Sequence, residues 1–510
     1  MVEHIAEDKL TIEREEHLHF QAYLDSISAK GQNTTLSPYQ PGTAMPWNRQ
    51  RATHLLRRTG YGAHIDRVDE MLQLTPSQAV DLIIQESINP PLPPAPSWID
   101  ETPPYPFDGS YSQANNARSA EFKISWTDEM RKVPLRERLA FFWRNHFVVG
   151  SNNDIFAPLW YRYMNVIRTH TFGNFKEFCK AIGIDHAMLI YLDGQHNSRY
   201  NDKPQENYAR EFLELFTMGI KNKNGDLNYS QADITNLAKA FSGYSVRLRP
   251  EFEVVYSQDR FYDEDKTILG RTGNFNYEQA IDLIFEERTE EIAYHICKKI
   301  YRYFVYEGVN ESIVDELATI FINSNFEILP VITTLLKSEH FFDPEFIGCK
   351  IKSPLEFLNT LYVETGVEPD DSLKDNQRMW LLDLEQDPFD VPNVAGWPGY
   401  RLWLSNTTIT ERWSISERTF THVSGSYEVD VIDLAKKVAG EDVNDPALLA
   451  RHLAEYFIPV QLPEDETADH KTLLLDGDPE YLWSIDRSNA DGNIRNFIKY
   501  LRKLPEYNLF

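Results

Sequence analysis

The chain has 510 residues, 42% of them hydrophobic and 25% charged, with 23 glycines and 28 prolines, a composition that excludes a disordered or fibrous protein. The length admits one large domain or two to three smaller ones. With 51 Lys and Arg against 78 Asp and Glu, the formal charge is −27, which repels phosphate backbones and anionic lipid, so nucleic acid is not an expected partner.

The first 20 residues carry Glu13, Glu15, Glu16, His17 and His19 and lack the basic and apolar regions of a secretory signal, which predicts a cytoplasmic protein. Nowhere is there the apolar run of about 18 residues that a membrane span needs. Residues 1–46 read as an acidic amphipathic arm followed by a proline-punctuated linker, and 47–510 as one helical domain. Thr75-Pro76 predicts a capped helix start, with Ala79, Val80, Leu82, Ile83 and Ile84 as its apolar positions. The stretch 89–108 holds eight prolines and reads as extended surface chain. A second helical block covers 120–241, with a turn at Asn224-Gly225-Asp226. Residues 245–273 alternate Val246, Leu248, Phe252 and Val254 with polar side chains, the pattern of a short hairpin. Helical spacing resumes over 277–363, a Pro/Gly/Trp-rich loop follows Phe389, and helix returns from Val429. Cys179, Cys297 and Cys349 have neither disulfide-framework nor zinc-ribbon spacing. The fold class expected is mainly α: a large multi-helix single domain with a small irregular or β excursion.

Chemistry concentrates in the second block. In the helix predicted over 134–147, an advance of about 100° per residue puts Leu135, Leu139, Phe142 and His146 on one stripe, so His146 should be buried and need a polar partner for each ring nitrogen. Over 204–219, Pro204 reads as a helix start and Gly219 as a stop. Tyr208, Phe212, Leu215 and Phe216 form the apolar arc there, and Glu206, Asn207, Arg210, Glu211 and Glu214 a polar arc of roughly 140°. Glu206/Arg210 and Arg210/Glu214 are each four apart, so an exposed face would carry two ion pairs of about 0.2–0.5 kcal/mol each. Buried against His146, the same face would form a site of His146, Glu206, Arg210, Glu211 and Glu214 that takes up a proton or a cation. Carboxylates with an imidazole suit a divalent metal, although neither Glu-x-x-His pairs nor His-Glu-x-x-His occurs. Asp193, with Asn197 and Arg199, lies on the loop leading to this helix, where polar groups either cap it or bind an anion. In the loop after Phe389, Trp397 and Trp403 either pack or stack on a flat-faced ligand such as a sugar. Asp193, Asn207, Trp397 and Trp403 are therefore the candidate substrate contacts. Gly-x-Ser-x-Gly, Walker and Gly-x-Gly-x-x-Gly motifs are missing, which demotes serine hydrolases, P-loop NTPases and Rossmann dehydrogenases.

Taken in order, Arg51-Ala-Thr-His-Leu-Leu-Arg-Arg-Thr-Gly-Tyr-Gly62, Phe142-Trp-Arg-Asn-His-Phe147, Glu206-Asn-Tyr-Ala-Arg-Glu-Phe-Leu-Glu-Leu-Phe-Thr-Met-Gly219, Lys266-Thr-Ile-Leu-Gly270, Ile351-Lys-Ser-Pro354 and Asn393-Val-Ala-Gly-Trp397 resemble the bacterial family known as domain of unknown function 1800. The resemblance implies an all-helical body and brings no activity with it. It also implies export for many relatives, against the charged start here. Two positions depart from the family pattern: Arg144 stands where His-Asn-His is usual, and Tyr262 where His-Asp is frequent. Each removes an imidazole that a metal would use. Two functional readings follow. One is an enzyme with a buried His/Glu/Arg site acting on a small or anionic substrate. The other is a binding or assembly protein, with a protein partner, in which the same residues form a structural polar network.

Overall fold

The computed structural model describes residues 19–32, 34–150, 155–420, 429–463 and 467–510. Most of the acidic N-terminal stretch, 1–18, therefore lies outside the described residues. The remainder of the arm is seated on the body: residues 19–26 are helical, the Tyr39 amide donates to Lys337 O at 2.9 Å, and the Gly31 amide donates to Glu345 Oε2 at 2.7 Å.

The protein is mainly α, and its strands form two small two-stranded antiparallel sheets among the described residues. These are Tyr244–Arg247 with Glu253–Tyr256 and Lys266–Ile268 with Arg271–Gly273, where the hairpin pattern placed them. Among the described residues no helix is long and apolar enough to cross a membrane. The helix Pro76–Ile88 starts as its sequence dictates, with Thr75 and Gln78 in a reciprocal capping box and proline at the first helical position. The proline-rich stretch is extended and pinned, since Pro90 and Pro91 carbonyls accept from Arg136 at 2.9 and 3.0 Å and Pro93 O accepts from Tyr161 at 2.8 Å.

Pro134–His146 is the central rod. Phe141 and Phe142 are buried and Trp143 is sealed completely, so nearly every face of this helix meets another element. Thr289–Phe304 buries Ile292, Ile296, Ile300 and Phe304 on one stripe and leaves His295, Lys298, Lys299 and Arg302 beside it, as 3.6-residue periodicity requires. The C-terminal helices Val431–Ala439, Pro446–Phe457 and Ala490–Lys503 pack on one another and on Asn406–Phe420. They join the same continuous hydrophobic core as the central rod.

The predicted helix over 204–219 is the main local correction. It begins at Asn207, not Pro204, and only Asn207–Glu211 is α-helical, while Phe212–Thr217 is a π-helix. The start is displaced because Asn197 holds the preceding chain extended: its Oδ1 accepts from the Gln205 amide at 3.1 Å while its Nδ2 donates to Ala238 O at 2.7 Å. Gly219 does stop the helix, at φ +76°, a left-handed conformation that glycine adopts without penalty.

Candidate functional site

A helix leaves its last carbonyls without partners inside the helix, and the end of the π segment shows where they go. The Phe216 carbonyl accepts from His146 Nε2 at 3.0 Å. The Leu215 carbonyl accepts from Lys299 Nζ at 2.9 Å and from His295 Nε2 at 3.3 Å. Met218 and Gly219 carbonyls accept from Asn228 Nδ2 at 2.9 and 3.0 Å. The chain end of one helix is thus met by two histidines and a lysine from two others, at the negative pole of its dipole.

This arrangement fixes the protons. Because Nε2 of His146 donates to a carbonyl, its Nδ1 carries the lone pair and accepts from Lys299 Nζ, 3.1 Å away. His146 is 4% exposed and ringed by Phe142, Trp143, Phe147, Phe175 and Phe216. Burial, with the positive charge of Lys299 second, holds the ring well below its ordinary value and so neutral. Lys299 is half-buried on the cavity wall and is pushed down to about 7 by burial, Arg302 adding repulsion.

His146 and Lys299 line an open cavity of about 1220 Å³, at the upper end of or beyond the usual volume of a small-molecule site. Glu214, His295, Trp397 and Trp403 line it too. The carboxylate of Glu214 is buried and accepts from the Tyr229 hydroxyl at 3.2 Å. Trp397 stacks on Phe141 with centroids 5.6 Å apart. Asn145 clasps its backbone, with Oδ1 accepting from the Trp397 amide at 2.8 Å and Nδ2 donating to Trp397 O at 3.3 Å. Tyr61 and Trp397 both contribute to the lining, and the Tyr61 hydroxyl and the Trp397 indole N–H are buried behind it without a protein partner. The 19–26 helix also lines the cavity, and there Asp25 pairs with Lys298 at 2.7 Å and Arg302 at 2.6 Å.

Of the residues singled out by sequence, the cavity gathers His146, Glu214, Trp397 and Trp403 and leaves the others elsewhere. Glu206 and Arg210 pair with each other at 3.0 Å and face the helix Gln231–Ala240: Glu206 accepts from Gln231 at 2.8 Å and from Thr235 at 2.7 Å. Glu211 is partly buried outside the lining. Asp193, at φ +59°, and Asn207 are bonded to each other at 3.1 Å, which staples the loop to the helix start. Arg199 pairs with Asp259 at 2.9 Å. Arg144 is fully buried, donates to Pro388 O and Val149 O, and lies between the rings of Trp160 and Trp397, so it packs the loop behind the cavity. Neither ring nitrogen of His146 is left for a cation, and among the described residues no three His, Cys, Asp or Glu side chains converge as metal ligands.

Lys299 escapes sequence reasoning because it is 153 positions from His146 and its other acceptor is a backbone carbonyl. Its only trace is the i, i+4 pair His295/Lys299 beside a strongly apolar stripe. Fold and cavity together define a helical protein built round a deep lysine–histidine pocket. The chain belongs to the family described as protein of unknown function DUF1800, whose model matches residues 54–509. No curated protein and no solved structure matches it.

Proposed function

We propose that the protein is an enzyme that binds a small polar molecule in this cavity and acts on it by acid–base chemistry at Lys299 and His146. The observation that carries the reading is the direct contact of an amine and a neutral imidazole on the wall of a cavity wide enough for a metabolite. Glu214 supplies a carboxylate to the same space. Trp397 and Trp403 give it flat apolar walls suited to a ring or sugar face. Glu206, Arg210 and Glu211 shape the supporting helix, and Asp193 with Asn207 holds its start.

A non-catalytic reading has its own support, since His146, His295 and Lys299 all satisfy helix-end carbonyls. The two separate on ligand binding. Wild type and Trp403→Ala are screened by thermal shift and ligand-observed NMR against sugars, hydroxy acids and oxo acids. Trp403 is partly exposed, and circular dichroism of Trp403→Ala checks that its fold is retained. The enzyme reading expects compounds that bind wild type and lose about tenfold or more in affinity in Trp403→Ala. If no compound in these classes binds, the structural reading replaces it.

A further inference from the structure

We infer that Lys299 is a nucleophilic amine that condenses with the carbonyl group of a small aldehyde or ketone bearing hydroxyl or carboxylate groups. This rests on the cavity being the functional site and adds the class of substrate. Nζ donates to Leu215 O at 2.9 Å and to His146 Nδ1 at 3.1 Å, and both are acceptors only, the second because Nε2 of the same ring is committed to Phe216 O. A neutral amine has two hydrogens and one lone pair. Its hydrogens are used, so the lone pair occupies the remaining tetrahedral position. An ammonium would carry a third hydrogen there, toward the cavity that Lys299 lines, whereas the neutral amine presents its lone pair to a carbonyl bound beside it. Burial lowers the basicity of this amine and favours the second form. Lys298 and Arg302 also line the cavity, and these cations suit a carboxylate or hydroxyl group on the remainder of the substrate.

The step balances without an oxidant, reductant or metal. The Nζ lone pair forms a bond to the carbonyl carbon, and the C=O π pair moves to oxygen, which takes up a proton from solvent. The nitrogen releases a proton to His146 Nδ1, already hydrogen-bonded to it. His146 returns that proton to the hydroxyl as the C–O bond breaks, and water leaves. A second proton goes from nitrogen to solvent, so amine plus carbonyl gives imine plus water.

The probe is glyoxylate, a small anionic aldehyde, with sodium cyanoborohydride at pH 7 on the full-length protein, followed by peptide mapping. Lys299 should gain a carboxymethyl group about tenfold faster than any other lysine, because surface amines at their ordinary basicity are almost wholly protonated there. In His146→Gln, checked by circular dichroism for an intact fold, alkylation of Lys299 should slow about tenfold while other lysines are unchanged. Alkylation of Lys299 at or below the rate of surface lysines overturns the inference. If cavity ligands bind but Lys299 is not selectively alkylated, the imine falls and the cavity reading stands; if neither occurs, both fall.

Discussion

The pair at the cavity wall consists of two bases, and burial makes both of them resist protonation. In the unfolded chain His146 titrates near 6.5 and Lys299 near 10.5, whereas in the folded protein His146 is held well lower and Lys299 is pushed down to about 7. Between the folded and unfolded values the unfolded chain binds more protons, so each group makes stability rise with pH across its window. For Lys299 the burial cost is full below about 7 and gone above 10.5. His146, His295 and Arg302 are its ionisable neighbours, and all three are common to wild type and Lys299→Met, so the difference between the two proteins reports the amine. The expected outcome is that wild type gains stability relative to Lys299→Met as pH rises from 7 to 10, measured by urea unfolding. A difference independent of pH would mean that the amine is charged in the fold. His146→Ala should cost about 2–4 kcal/mol at any pH in this range, since it opens a void among aromatic rings and orphans the Phe216 carbonyl.

Two elements shape the cavity by local backbone geometry. One is the π segment Phe212–Thr217, in which the Thr217 hydroxyl also donates to Phe212 O at 2.6 Å; π turns inside α-helices recur at functional sites. The other is the tryptophan loop, where Gly396 sits at φ +85° and a Cβ would lie 2.3 Å from Asn145 Oδ1 and 2.8 Å from Asn145 O. Gly396→Ala should therefore break the Asn145 clasp on Trp397 and cost more than about 2 kcal/mol, with a red shift in tryptophan emission as Trp397 leaves Phe141. Unchanged emission would place the loop's hold elsewhere. The same two elements mark the limit of what could be read from sequence. Capping and periodicity fixed the helix at Pro76–Ile88 and the inward face of His146, because those signals are local and the advance per residue is constant. A wheel drawn at constant α-helical advance merged Glu206, Arg210 and Glu214 into one arc. The switch at Phe212 changes that advance, so Glu214 reaches the cavity while Glu206 and Arg210 meet Gln231 and Thr235. Lys299 had no local signature, since its acceptors come from two distant segments.

At the scale of the molecule, the C-terminal helices are tied to the rest by charge buried in the core. Arg57 on Arg49–Thr59 donates to Glu364 on Pro354–Thr365 at 2.6 Å and to Tyr456 O on Pro446–Phe457 at 2.7 Å. The ion pair is sealed, with side chains 3% and 0% exposed. Lys352 and Arg502 are almost inaccessible, and Lys352 feels Glu364 together with Arg57, Arg502 and Arg412, so Glu364 sits among several cations. Desolvating such a pair offsets much of its attraction, but removing one partner leaves an uncompensated charge in the core. Glu364→Leu alone should therefore cost about 3–5 kcal/mol, and Arg57→Met alone a similar amount. The double variant Arg57→Met/Glu364→Leu should cost clearly less than the sum of the two, with the part that remains set by the loss of Glu364 beside Lys352. The three variants are compared with wild type by urea denaturation at pH 7. Additive losses would mean that the pair does not act as a unit and that backbone contacts such as Arg57 to Tyr456 O hold the C-terminal helices in place. Strong non-additivity would place the junction in the charge pair itself, and the double variant would keep the cavity's ligand binding, because His146 and Lys299 contact neither residue.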